Sequence, residues 1–251
     1  MTGAGGVIGE RGPGWGVDWG TPGEIPSGAL VAGSDSEAAG IVAEARRAGR
    51  GIPPVLLTGG DLARTLGVGG ARRGSAGAPR GRANRRANPP HTGEAVARAA
   101  REHSEQERET PRTGSRVSVD VGAALIDGRL HWFVAHLVAR RSWWRGRLLV
   151  AANASFLGRW NAAPRSHPGD GRLDVFDTDP SLAVRFAAWR RLPSGSHVPH
   201  PEITQRRTAA FQYEFNPALD VYLDGRLTGR CRTLSLRVEP GAMEVWIPDD
   251  S

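Results

Sequence analysis

The chain contains no lysine: all 33 basic residues among its 251 are arginine. Every chemistry that needs a primary side-chain amine is therefore closed to it, including Schiff-base and pyridoxal-phosphate catalysis, Walker-type phosphate ligation and the strand lysine of protein kinases. A single cysteine, Cys231, can neither close an intramolecular disulfide nor assemble a Cys-based zinc or iron–sulfur site, so a reduced compartment is expected. No run approaches the roughly 18 apolar residues of a membrane span, and the first residues lack a basic segment followed by an apolar one. These absences predict a cytoplasmic protein, at most peripheral at the inner face of a membrane. The seven histidines show no HExxH spacing. His197 and His200, three apart, read as loop polarity before they read as a metal pair.

What is present is a moderately apolar chain, 39% hydrophobic, with a net charge of +7, 34 glycines and 18 prolines. That composition supports a packed core built from short elements and many turns. Residues 1–27, rich in Gly, Pro and Trp, show no periodicity and are expected to be irregular. Residues 28–70 read as two strand–turn–helix units: the apolar runs 28–32 and 53–57 are each followed by a glycine-containing turn and a helical pattern, which predicts a small parallel α/β lobe. Residues 71–115 form an Arg/Gly/Ala-rich linker or insertion; its arginines at 72, 73, 80, 82, 85 and 86 suit a solvated linker better than a nucleic-acid contact. Residues 116–251 read as a β-rich lobe with strands at 117–121, 130–138, 147–151, 173–176, 209–215, 219–223, 233–238 and 243–247, plus one helix over 181–191. Most tryptophans fall at core-type positions, although Arg140-Arg141-Ser142-Trp143-Trp144-Arg145 combines cations and aromatics as a membrane-surface contact would.

Each glycine turn places backbone N–H groups and a helix start where an anion can sit. Val31-Ala32-Gly33-Ser34-Asp35-Ser36-Glu37 resembles the GGDGT nucleotide loop of the diacylglycerol kinase and sphingosine kinase family, whose fold is related to that of the NAD kinases. Thr58-Gly59-Gly60-Asp61-Leu62-Ala63-Arg64 resembles that family's second loop, GTxNDxAR. His167-Pro168-Gly169-Asp170-Gly171-Arg172-Leu173-Asp174-Val175 resembles its P-x-x-DGxLDV segment. Asp220 to Arg226 stands where the family has DGE, and Leu236 to Pro248 resembles the closing strand pair.

The resemblance implies a two-lobe NAD kinase/diacylglycerol kinase-like fold, α/β plus β, with a truncated first lobe and a site in the cleft between the lobes. It implies ATP- and Mg²⁺-dependent phosphoryl transfer to the hydroxyl of a lipid or small alcohol. Gly33, Ser34, Asp35, Ser36, Thr58 and Gly59 would then bind nucleotide. Asp35 and Asp224 would be the acidic candidates for metal binding or for accepting the hydroxyl proton. A structural Mg²⁺ would be held by Asp170 with the carbonyls of His167 and Arg172. The plainer readings are a helix N-cap for Asp35 and Asp61 and an Asx-turn for Asp170.

The departures point the other way. Two glycines of GGDGT carry side chains as Ser34 and Ser36, and Glu37 adds a carboxylate beside the phosphate position. The asparagine of the second loop is Gly60. The glutamate of DGE, the family's proposed base, is Arg226, which cannot accept a proton. Only 32 residues precede Gly33, fewer than the strand–helix–strand unit of the family, so either this lobe is shortened or the chain start is set too late. The alternative expectation is a catalytically degenerate member that binds or scaffolds. Oligomeric state is not legible.

Overall fold

The computed structural model describes residues 20–68, 112–196 and 201–249. The arginine-rich stretch 72–86, His197 and His200 lie outside the described residues. Within the described residues the chain runs β1 (Thr21–Glu24), β2 (Leu30–Ala32), α1 (Asp35–Arg47), β3 (Val55–Leu57), α2 (Asp61–Thr65), β4 (Thr113–Ile126), β5 (Arg129–Phe133), β6 (His136–Arg140), β7 (Leu148–Ala152), β8 (Phe156–Leu157), β9 (Trp160–Asn161), β10 (Leu173–Thr178), α3 (Leu182–Arg191), β11 (Ile203–Thr208), β12 (Ala210–Leu223) and β13 (Arg226–Pro248).

The α/β lobe is two strands and two helices. α1 starts because Ser34 caps it, its Oγ accepting from the Glu37 amide at 3.3 Å, with Asp35 and Glu37 in the positive first turn. It ends in a Schellman motif: Gly49, at φ +64°, and Arg50 return their amides to the Arg46 and Ala45 carbonyls. Ala38, Val42 and Ala45, at helical spacing, form its buried face. β2 and β3 run parallel, Leu30 to Ala32 against Val55 to Leu57.

This lobe joins the β-rich lobe through one strand. The C-terminal part of β13 takes β3 parallel, at Val245 and Trp246, while β4 pairs antiparallel along nearly its whole length and β12 along its N-terminal part. The spine of the sheet runs β1-β4-β13-β12-β6-β7-β10-β11. The β4–β13 register shifts between Glu239 and Met243, and that bulge bends the sheet where the lobes meet. One apolar core lies under α1 and α2, gathering Val42, Leu57, Leu62, Val119, Met243 and Val245. A second fills the β-rich lobe with Phe133, Leu137, Leu149, Leu173, Phe215, Val221 and Leu234. Gly122 in β4 makes room for it, since a Cβ there would lie 2.2 Å from the Phe133 ring. The two-lobe architecture, α/β plus β, is the one the motifs implied.

Several element boundaries differ from the sequence reading. The segment expected to be irregular contains β1, paired with the start of β4. The run 130–138 is two strands, broken at Val134 and Ala135. The pairs 209–215 with 219–223, and 233–238 with 243–247, are each one long strand with a register shift inside it. The polar edge strand β11, which pairs with β10, carries no sequence pattern that betrays it.

Candidate functional site: two glycine loops and an apolar pocket

The two glycine turns meet, as the motifs require. They approach so closely that a Cβ on Gly59 would lie 2.5 Å from the Gly33 carbonyl oxygen, and one on Gly60, at φ +100°, 2.4 Å from an Asp35 carboxylate oxygen. Glycine at position 60 is therefore the counterpart of how Asp35 is placed. Asp35 is buried, and its carboxylate accepts from the Asp61 amide at 2.6 Å and the Leu62 amide at 3.0 Å. Gly60 supplies no side-chain cap to α2, so Asp35 caps that helix from 26 residues away. Burial, with the Asp61 charge as a lesser cause, pushes the Asp35 carboxyl above the usual range despite these two bonds.

The polar groups of the first loop are also paired from within. The Gly33 amide donates to Glu37 Oε2 at 2.8 Å. Ser34 spends its hydroxyl on the Glu37 amide and faces Ser36 Oγ at 3.3 Å. Thr58 Oγ1 donates to the Ala32 carbonyl at 3.3 Å. The loop thus carries a carboxylate of its own on the Gly33 amide.

Asp224 faces the first loop from the β-rich lobe, within electrostatic reach of Asp35. At φ +46° and followed by Gly225 at +80°, it opens the two-residue β12–β13 turn, and its carboxylate accepts from the amides of Val134, Ala135 and His136, each at 2.9 Å. Two of those donors are the break between β5 and β6 and the third opens β6, so Asp224 clamps that corner to the hairpin. Burial nevertheless raises its carboxyl to about 7, outweighing the three bonds, and the charge of Asp35 adds to the rise. Asp35 and Asp224 are thereby brought into electrostatic reach, each already engaged with backbone. Arg226 is exposed at the end of the same turn. Asp127, at φ +44°, makes a similar clamp, accepting from Thr233 at 2.8 Å and Arg232 at 3.0 Å.

His136 lies buried between the lobes, with Nε2 3.1 Å from the Ala154 carbonyl and Nδ1 3.9 Å from Asp61 Oδ2. Burial drives its pKa down to about 4, so the ring is neutral and Nε2–H donates to Ala154. Asp61 itself accepts from the Gly158 amide at 2.9 Å, and Arg64 donates to the Gly158 carbonyl at 2.7 Å while lying over the Phe156 ring. α2 is thus latched to the β8–β9 hairpin.

In the 167–175 segment, Asp170 Oδ1 accepts from the Arg172 amide at 3.0 Å, an Asx-turn, and Oδ2 is paired with the Arg207 guanidinium. Arg207 Nε also lies 3.6 Å from buried Asp174. Arginine supplies the positive charge here. His167 Nδ1 accepts from Gly169 at 3.2 Å. Among the described residues no group of three or more His, Cys, Asp or Glu side chains is arranged to hold a metal ion.

Two site residues escaped the sequence reading. Asp120, buried in β4, accepts from the Gly171 amide at 2.6 Å and the Gly241 amide at 2.8 Å, tying the 167–175 segment to the β13 bulge. In the sequence it shares the polar parity of Ser118 in the alternating run 117–121, so nothing there marked it as buried. Asn153 donates to the Asp120 and Val134 carbonyls, and its own Oδ1 is buried without a partner.

On the other side of the β8–β9 hairpin lies an apolar pocket of about 210 Å³, lined among others by Trp143, Leu157, Trp160, Phe176 and Trp189. The hairpin therefore faces two sites: Gly158 and Phe156 contact α2 at the junction between the lobes, and Leu157 and Trp160 wall the pocket.

Residues 115–247 match the family described as the YegS C-terminal NAD kinase beta sandwich-like domain. A comparison with curated proteins gives no match. Among solved structures, one from Bacillus anthracis str. Sterne, provisionally assigned as a diacylglycerol kinase, is 15% identical with a TM-score of 0.47, over 77% of this chain and 69% of that one. A second from the same organism, described as a diacylglycerol kinase, is 15% identical with a TM-score of 0.42, over 77% of this chain and 66% of that one. Because the family match spans more than half of the chain, in the lobe that carries three of the five motifs, this protein belongs to the family of the YegS C-terminal NAD kinase beta sandwich-like domain.

Proposed function

We propose that this protein is a lipid-binding member of its family that has given up phosphoryl transfer. The observation that carries this reading is the Glu37 carboxylate on the Gly33 amide. A carboxylate resting on that amide repels a triphosphate and competes for the donor that would hold it, so the residues present fit ATP poorly. They do not fit the family's Mg²⁺ either: one oxygen of Asp170 is spent on a turn amide and the other on Arg207. Arg226, in place of a carboxylate, removes the remaining base of the family pattern. What stays open is the apolar pocket beside the junction, whose tryptophan and aliphatic walls suit an acyl chain and offer little to a polar ligand. With purified protein and diacylglycerol vesicles, no phosphate from radiolabelled ATP should reach lipid, while a fluorescent diacylglycerol should bind saturably and be displaced by unlabelled lipid. Labelled phosphatidic acid would overturn the first half of the proposal, and absence of saturable lipid binding the second.

A second reading keeps the family's ATP- and Mg²⁺-dependent transfer to a lipid hydroxyl. It rests on Asp224, whose carboxyl at about 7 matches what a general base needs at neutral pH. In that reading Asp35 and Asp224 are the working acids, and Asp224→Asn would abolish transfer.

A further inference from the structure

α3 is built the wrong way round for a helix that packs on a protein core. Its one buried residue is Arg185, whose guanidinium donates to the carbonyls of Pro180, Trp143 and Gly146 and meets Asp179. Its apolar stripe faces out: Leu182, Phe186 and Trp189, at positions i, i+4 and i+7, are 57%, 51% and 37% exposed. Trp144, from the β6–β7 loop, is 46% exposed, and its ring lies 6.3 Å from that of Trp189, which itself stacks on Phe186 at 5.9 Å. Arg185 is the hinge pin of this surface, since it ties the helix to the Trp143–Gly146 loop. The patch is one preorganised aromatic and aliphatic surface beside the apolar pocket, which Trp144, Ala188 and Trp189 help to line.

Charge surrounds it with one sign dominant. Arg141 and Arg145 on the loop, and Arg190 and Arg191 at the end of α3, are all exposed, and among the described residues none of the four makes an ion pair. The nearby acids are otherwise committed: Asp177 to Arg147, Asp179 to Arg185, and Glu202 to the Ser181 amide. Among the described residues no helix is long and apolar enough to cross a membrane, and an exposed aromatic stripe rimmed with arginine is the composition of an element that lies in the interface of an anionic bilayer.

We infer that α3 and the Arg141–Arg145 loop form a membrane-docking face that inserts Trp144, Phe186, Trp189 and Leu182 into the headgroup region of an anionic bilayer. Docking there sets the pocket mouth at the lipid. It deepens the lipid-binding reading and rests on it for the pocket's occupant, yet vesicle binding is measured without transfer and without a pocket ligand, so the two can fail separately.

The test is co-sedimentation of the full chain with vesicles of phosphatidylcholine alone or mixed with phosphatidylglycerol. The wild type should bind the mixed vesicles at least tenfold better than the neutral ones, a preference that added salt reduces. L182S/F186S/W189S should lose about tenfold or more on the mixed vesicles, and R190Q/R191Q should lose most of the anionic preference. Should the triple variant unfold, tryptophan emission decides: a vesicle-induced blue shift must shrink in W144F and in W189F. Wild-type protein that stays in the supernatant, a well-folded triple variant that binds like wild type, or a blue shift unchanged in both tryptophan variants would overturn the proposal. So would light scattering that shows a dimer dissolved by the triple variant with no vesicle binding, because a second copy would then cover the face.

Discussion

The junction between the lobes and the pocket behind the β8–β9 hairpin lie on either side of that hairpin and have opposite characters. At the junction the polar groups are paired from within: Gly33 with Glu37, the α2 amides with Asp35, the β5–β6 corner with Asp224. In the pocket the apolar walls are left facing open space, and the surface beside it exposes four large apolar side chains. The polar groups of the glycine loops are satisfied from within while the apolar surface is not, and the proposed lipid-binding role rests on that contrast.

The sharpest way to break this contrast is to remove an internal partner at the junction. Asp35→Ala strands two amides at the start of α2 and should cost about 2–4 kcal/mol in urea unfolding. A residue poised for metal or nucleotide would instead be neutral or stabilising when removed, and that outcome would place Asp35 on the functional side of the ledger. Filling the pocket is the converse test. Ala188→Trp should weaken binding of a fluorescent diacylglycerol by about tenfold while changing stability by less than about 1 kcal/mol, because a partly open site tolerates added volume.

The pH dependence of stability gives a subtler comparison across the junction. His136 has a folded pKa of about 4, below its ordinary value of 6.5, so the unfolded chain binds the extra proton and this contribution rises with pH through that window. Asp224 has a folded pKa of about 7, above the ordinary 3.8, so the folded chain holds the extra proton and this contribution falls with pH from about 4 to 7. The two oppose each other in wild type. Asp224→Asn should leave a stability that climbs between pH 4 and 6.5, and His136→Gln one that declines; thermal midpoints across that range check both signs. The smallest effect concerns the 167–175 segment. Arg207→Ala should free Asp170 and give the variant a rise of a few degrees in midpoint with millimolar Mg²⁺, where wild type shows none.

The α/β lobe was legible in its elements because its signals are local: the apolar runs 28–32 and 53–57 contain β2 and β3, and the helical patterns after them are α1 and α2, although the N-caps expected at Asp35 and Asp61 fall one residue earlier, at Ser34 and Gly60. The β-rich lobe was legible in kind but not in its joints. Pro217 and Pro240-Gly241 read as breaks, yet they sit at register shifts inside continuous strands, while the real break at Val134–Ala135 has no turn residue and exists because Asp224 catches three amides from 88 to 90 residues away. Site roles followed the same division. Asp35 and Asp224 were visible as residues, but what they bind depends on contacts distant in sequence. The tryptophans expected in the core divide: Trp246 is buried, whereas Trp144 and Trp189 are exposed, since periodicity reveals a stripe and not what covers it.

The most direct measurement is calorimetric titration of Mg²⁺·ATP into the wild type and into S34G/S36G/E37T, which restores the family's glycines and removes the Glu37 carboxylate from Gly33. The account predicts no saturable heat for wild type at millimolar nucleotide and measurable binding once the carboxylate is gone. Saturable micromolar binding by the wild type would contradict it, because Glu37 would then not be keeping the triphosphate from the Gly33 amide.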